Sequence, residues 1–212
     1  MNDPAIATAA DYADAMVTAR KSKSALLLGV LLMLLIQLGL FFAARYTNYV
    51  VASPTTQPTT APNPKWSDVI EYLVGASAFL GVILTIVLSF VLLLIVNIML
   101  VGRLIGVART TSAYVWCLVL LVLLFPWQAF LSNATFSDPN FKIPGVLYTW
   151  DELRLFAKFG MTTPADGFEL MLKWARFVAF PVIAIIIALR IQLKSNRGLR
   201  QAFGETEPET TV

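Results

Sequence analysis

The sequence predicts an all-α integral membrane protein: a four-span helical bundle with a small extracytoplasmic cap built on an amphipathic helix. Three observations carry that expectation. Of the 212 residues 58% are apolar, and the mean hydropathy is +0.72, more than a soluble domain of this length carries. Residues 69–101 hold a single charge, Glu71, in a run well beyond the roughly 20 apolar residues that cross a bilayer. The cations gather at the ends of apolar runs, where topology signals sit, and not in a patch that would bind nucleic acid.

In chain order, residues 1–23 read as a cytoplasmic N-terminal segment, small and polar. Ile6, Ala9, Met16 and Val17 lie at helical spacings and make it weakly amphipathic. Residues 24–44 form the first span, uncharged, with Gln37 as its strongly polar side chain. The run is longer than a signal-peptide core, so it is expected to stay as an anchor. Residues 45–65 are an extracytoplasmic connector whose Pro and Thr density favours an extended chain. A long helix over 66–107 contains the second span, a cytoplasmic turn takes 108–112, and Ser112 is placed to cap a third span over 113–131. Pro126 is expected to kink that span and to leave the Val122 carbonyl without its helical donor. Residues 132–176 are an extracytoplasmic loop with an amphipathic helix at 150–159, capped by Thr149 and closed by Gly160. The fourth span covers 177–193 and is kinked at Pro181. Its uncharged core, 177–189, is short, and the flanking Arg176 and Arg190 reach full bilayer thickness by snorkelling. Residues 194–212 read as a disordered cytoplasmic tail.

Charge then orients the bundle. Nine cations, among them Arg20, Lys21, Lys23, Arg190 and Lys194, fall on the side holding both termini and stand in short segments against span ends. Seven fall on the other side, interleaved with seven carboxylates. The positive-inside rule predicts both termini in the cytoplasm, and that pattern together with the Pro/Thr connector leads to the expectation of a bacterial inner membrane. Eight of the eleven Trp and Tyr residues lie on the outer side, where headgroups favour such rings.

The polar side chains in the spans are the candidate functional residues. Ser77, Gly81, Thr85, Ser89 and Asn97 follow one i+4 row of the second span, broken at Leu93. Small and hydroxyl residues at this spacing admit a neighbouring backbone or line a polar path. Gln37 and Gln128 are further intramembrane polar groups, and Gly102 with Gly106 forms a marginal GxxxG. Glu71 and Arg176 both fall at the outer boundary, where they read as ordinary interfacial charges, with pairing between them as the alternative. The chain has no His, so His-ligated metals, haem and His-based nucleophile pairs are excluded. Cys117 stands alone and forms no intrachain disulfide. With no phosphate loop and no metal-ligand spacing, neither a cofactor nor a catalytic set is expected. These features predict a non-enzymatic scaffold or accessory subunit acting through helix contacts, with the lipid bilayer and another membrane protein or a second copy as partners. The alternative is an oligomeric channel or transporter subunit lined by the second-span row.

Overall fold

The computed structural model describes residues 9–46, 64–125, 127, 146–150, 152–153 and 167–204. Every regular element among them is helical: α1 (Ala9–Tyr46), α2 (Pro64–Val101), α3 (Val107–Leu124), α4 (Gly167–Trp174), a π-helical turn (Ala175–Ala179) and α5 (Phe180–Ala202). Four stretches are long and apolar enough to cross a membrane: Asp14–Tyr46, Asp68–Val101, Val107–Leu124 and Leu170–Ala202. The fold is an all-α, four-helix membrane bundle.

One pattern explains which face of each helix turns inward. In α1 the buried residues are Met16, Ala19, Lys23, Leu27, Val30, Leu34, Gln37, Phe41, Ala44 and the adjoining Arg45. In α3 they are Thr110, Ala113, Cys117, Leu120 and Leu124. Steps of three and four mix along both helices, the spacing of side chains that meet in left-handed bundles. Between lipid tails and protein there is no water to expel, so close packing and interhelical hydrogen bonds hold such a seam together.

The chain divides into two compact units, and each takes a piece of every spanning helix. The terminal unit comprises residues 1–29, 84–121 and 187–212. Its core joins Met16, Ala19, Ile95, Met99 and Leu199, with Leu104 and Phe203 packed against them. The loop unit comprises residues 30–83 and 122–186. Its core joins Phe41, Ala44, Val74, Tyr148, Leu153 and Phe177.

Several boundaries differ from those read in the sequence. Residues 9–23 are not a separate segment. They are the first turns of α1, because the Met16–Ala19–Lys23 stripe continues the seam beyond the apolar run. Likewise α5 does not stop at residue 193 but runs through Ala202, with Ile191, Ser195 and Leu199 buried. The second helix ends at Val101 instead of 107, and the turn occupies residues 102–106 instead of 108–112. The cause is a Schellman stop. Arg103 adopts φ +48, the Leu104 N–H bonds to Met99 O at 2.9 Å, and the Arg103 N–H bonds to Leu100 O at 3.2 Å. Leu104 then packs onto the cluster that contains Met99, the apolar contact that accompanies this motif. The third helix therefore begins at Val107, and Ser112 lies inside it instead of capping it.

Of the two proline positions, Pro126 lies outside the described residues, as does Gln128. The Val122 carbonyl four residues before Pro126 receives the Trp127 indole N–H at 2.8 Å, which replaces the donor a proline cannot supply. Pro181 is buried and follows the π-helical turn. There the Phe180 N–H bonds back to Ala175 O, one residue wider than an α-helical bond, which accommodates the missing donor. Most of the Pro/Thr connector, most of the predicted 150–159 helix and the tail from 205 also lie outside the described residues.

Candidate functional site

The loop unit contains a buried polar cluster built from α1, α2 and the 146–153 segment. Gln37, on the α1 seam, donates through Nε2 to Ser77 Oγ at 2.8 Å and to Val74 O at 3.3 Å. The Ser77 hydroxyl donates in turn to Val74 O at 3.0 Å. Tyr148, almost fully buried, donates its hydroxyl to the backbone O of Gln37. Burial pushes the Tyr148 phenol above its usual value, against the opposing effects of a backbone hydrogen bond at Phe41 and of Arg176. Gln37 Oε1 is buried without a partner among the described residues.

Beside it, Thr149 and Glu152 form a capping box. The Glu152 N–H donates to Thr149 Oγ1 at 3.4 Å, and the Thr149 N–H donates to Glu152 Oε2 at 3.3 Å. The same carboxylate oxygen holds Arg176 Nη2 at 3.0 Å, and that guanidinium also donates to Leu147 O at 3.1 Å. Arg176 is therefore bound to the loop and not to Glu71, which is exposed. The π-helical turn carries Arg176 and the buried Phe177 side by side. Phe177 stacks on Phe41 with centroids 5.0 Å apart, and Tyr148 tilts against it at 5.5 Å. Arg45 lies over the Trp174 ring at 4.8 Å.

The α2 row is split by the fold. Ser77, Gly81, Thr85 and Ser89 are buried, whereas Asn97 is exposed among Leu93, Leu94 and Leu100. Gly81 has Met33 Cβ and Leu147 side-chain atoms within ordinary contact distance of a Cβ built on it. Cys117 is a free, buried thiol on the α3 seam.

The terminal unit holds polar contacts that hydropathy did not flag. Lys23 is fully buried and donates to Ser195 Oγ at 2.7 Å and Asn196 Oδ1 at 2.6 Å. Its place on the three-four stripe between Ala19 and Leu27 was the available signal. Lys194 donates to Ser112 Oγ at 2.7 Å. Gly106, at φ +94, meets Gly198 backbone to backbone: a Cβ on Gly198 would overlap the Thr110 hydroxyl and lie 3.0 Å from Gly106 O. Among the described residues no group of three or more His, Cys, Asp or Glu side chains could hold a metal ion.

Comparison with family models, with curated proteins and with solved structures finds no match.

Proposed function

We propose that this chain is a non-enzymatic multi-pass membrane protein of a bacterial inner membrane, with both termini cytoplasmic. On this reading it serves as a scaffold or accessory subunit through lateral helix contacts. The observation that carries it is the inward turn of Ser77, Gly81, Thr85 and Ser89 within a single chain. Residues spent on internal packing are unavailable to line a path between copies. Asn97 apart, what α2 offers outward along residues 79–94 is apolar: Phe79, Ile83, Val87, Phe90 and Leu94 are all exposed, a surface suited to lipid and to other spanning helices. The loop unit adds an extracytoplasmic cap, in which Tyr148 bonds to α1 and Leu147 and Glu152 bond to Arg176 on the π-helical turn.

The alternative, a channel formed by several copies, rests on Asn97, the member of the row that faces outward. Native mass spectrometry of the protein extracted gently from its own membrane separates the two. A different chain at fixed stoichiometry supports the accessory role. A homo-oligomer whose reconstituted flux is lost on changing Ser89 and Asn97 together to Leu overturns it. Sidedness is tested by a cysteine introduced at the exposed Lys21. Labelling from the periplasmic face would refute the cytoplasmic assignment.

A further inference from the structure

The described part of the terminal unit carries more cations than carboxylates. Among its described side chains are nine Lys and Arg and one carboxylate, Asp14. Two of the cations converge on one ring: the Arg190 guanidinium lies 5.5 Å and the Lys194 ammonium 6.0 Å from the Trp116 centroid. They stand four residues apart on α5, so they are neighbours on one helix face, where like charges oppose each other. No carboxylate is among the described partners of either. Lys194 binds only the neutral Ser112 hydroxyl, which keeps its own proton to donate. Arg190 is exposed, and Trp116, Ser112 and Lys194 are half-buried. The group thus presents donors from two helices with no anion to receive them.

Its place along the helices narrows the ligand. Arg190 is the first charge after the uncharged stretch 177–189, so it sits where α5 passes from apolar to polar. The same two helices expose Leu189, Leu193, Val115 and Val119. Donors at the edge of the apolar zone, flanked by bare aliphatic side chains, match a molecule with an anionic head and acyl tails. We propose that Ser112, Trp116, Arg190 and Lys194 form a binding site for the phosphate of an anionic phospholipid, whose chains lie along the exposed faces of α3 and α5. Arg190 and Lys194 pair with the phosphate oxygens, the Ser112 hydroxyl and the Trp116 indole N–H add neutral donors, and the ring fixes both cations in place.

The test is native mass spectrometry of the full chain in detergent, titrated with phosphatidylglycerol and, in parallel, with phosphatidylcholine. The wild type is expected to retain phosphatidylglycerol preferentially. Each basic contact at a lipid surface contributes enough to change affinity about fivefold, so Arg190→Gln should weaken retention about fivefold and Arg190→Gln/Lys194→Gln about thirtyfold. Arg190 is exposed and makes no described internal hydrogen bond, so the single variant keeps the fold and the comparison stays decisive. Lys21→Gln/Arg103→Gln removes the same charge at exposed positions outside the cluster and should leave retention unchanged. An equal loss in that control pair would reduce the effect to a diffuse field and overturn the site. Equal retention of both lipids by the wild type, or no effect of Arg190→Gln, overturns it too. Excess inorganic phosphate should not displace the lipid, and displacement would assign the site to a free anion instead.

Discussion

Gly198→Ala sets two opposed effects against each other at one position. Gly198 lies inside α5, where alanine is favoured over glycine by about 1 kcal/mol. Local propensity alone therefore predicts a more stable protein. Packing predicts the reverse. The added Cβ would overlap the hydroxyl of the fully buried Thr110 and approach Gly106 O at 3.0 Å and Thr110 N at 3.1 Å. A long side chain could swing aside, but two of these three atoms are backbone and the third belongs to a β-branched residue, so the helices themselves must part. Overpacking of this kind costs about 1–3 kcal/mol, and rigid neighbours put it at the upper end. The net expectation is a loss of about 2 kcal/mol. Unfolding in mixed micelles by titration with sodium dodecyl sulfate, followed by far-ultraviolet circular dichroism, measures it. Gly39→Ala is the control, since nothing lies within 4 Å of its built Cβ, and it should gain up to about 1 kcal/mol. Thr110→Ala in the Gly198→Ala background should recover part of the loss by removing one of the three clashes. A Gly198→Ala protein as stable as wild type would refute the close backbone approach of α3 and α5.

Three further outcomes follow from other parts of the bundle. Because burial raises the Tyr148 pKa, the folded state disfavours the phenolate, so stability should hold below the unfolded value near ~10 and fall as pH rises above it. Tyr148→Phe should remove that alkaline component while costing about 1 kcal/mol for the lost hydrogen bond to Gln37 O, read by unfolding titrations across pH. Thr85→Leu should destabilise by about 1–3 kcal/mol because the site is fully buried, whereas Asn97→Leu should stay within about 0.5 kcal/mol; equal effects would contradict the split of the row. Lys23→Met should be neutral or stabilising by about 1 kcal/mol, because a flexible apolar chain of similar length removes a buried charge held only by Ser195 and Asn196. Loss of more than about 2 kcal/mol in Lys23→Met would mean that the ammonium is required where it lies.

Hydropathy made the four spans legible because the lipid requirement acts on runs of some twenty residues. The ends of the helices were not legible by the same measure. Apolar runs stop where lipid stops, yet α1 starts well before residue 24 and α5 continues past 193, held by the stripes around Met16 and Leu199. The stop after α2 was concealed by its own residues. A left-handed conformation usually announces itself with glycine, but here Arg103 adopts it while the flanking Gly102 and Gly106 resembled a packing motif. The polar cluster was half visible. Gln37 and Ser77 stood out as intramembrane polar groups, but their pairing depends on how α1 and α2 are aligned, and Tyr148 reaches Gln37 from 111 positions away. Neither separation nor alignment is written in local pattern. The capping box at Thr149 and Glu152 is local, and Thr149 was legible as a cap for that reason.

The α2 row shows how a spacing can be read correctly and still mislead. Four residues on a 3.6-residue helix advance the direction of a side chain by about 40° beyond a full turn. From Ser77 to Asn97 five such steps accumulate to about 200°, so the two ends of the row must look in opposite directions. The buried seam of α2 instead runs Val74, Ser77, Gly81, Thr85, Leu88, Leu92, Ile95 and Met99, with the buried Ser89 and Val96 beside it, and its steps of three cancel the drift. The row and the seam share Ser77, Gly81 and Thr85 and then separate, with Ser89 at the margin and Asn97 outside. A polar path lined by the whole row is thus geometrically incompatible with one straight helix. The first three members belong to the internal seam, and only Asn97 is placed to meet another molecule. Its amide lies among exposed leucines, where the favourable partner is a polar group on a neighbouring helix. Lateral association should therefore respond to Asn97 and be indifferent to Thr85, even though both belong to the same four-residue spacing.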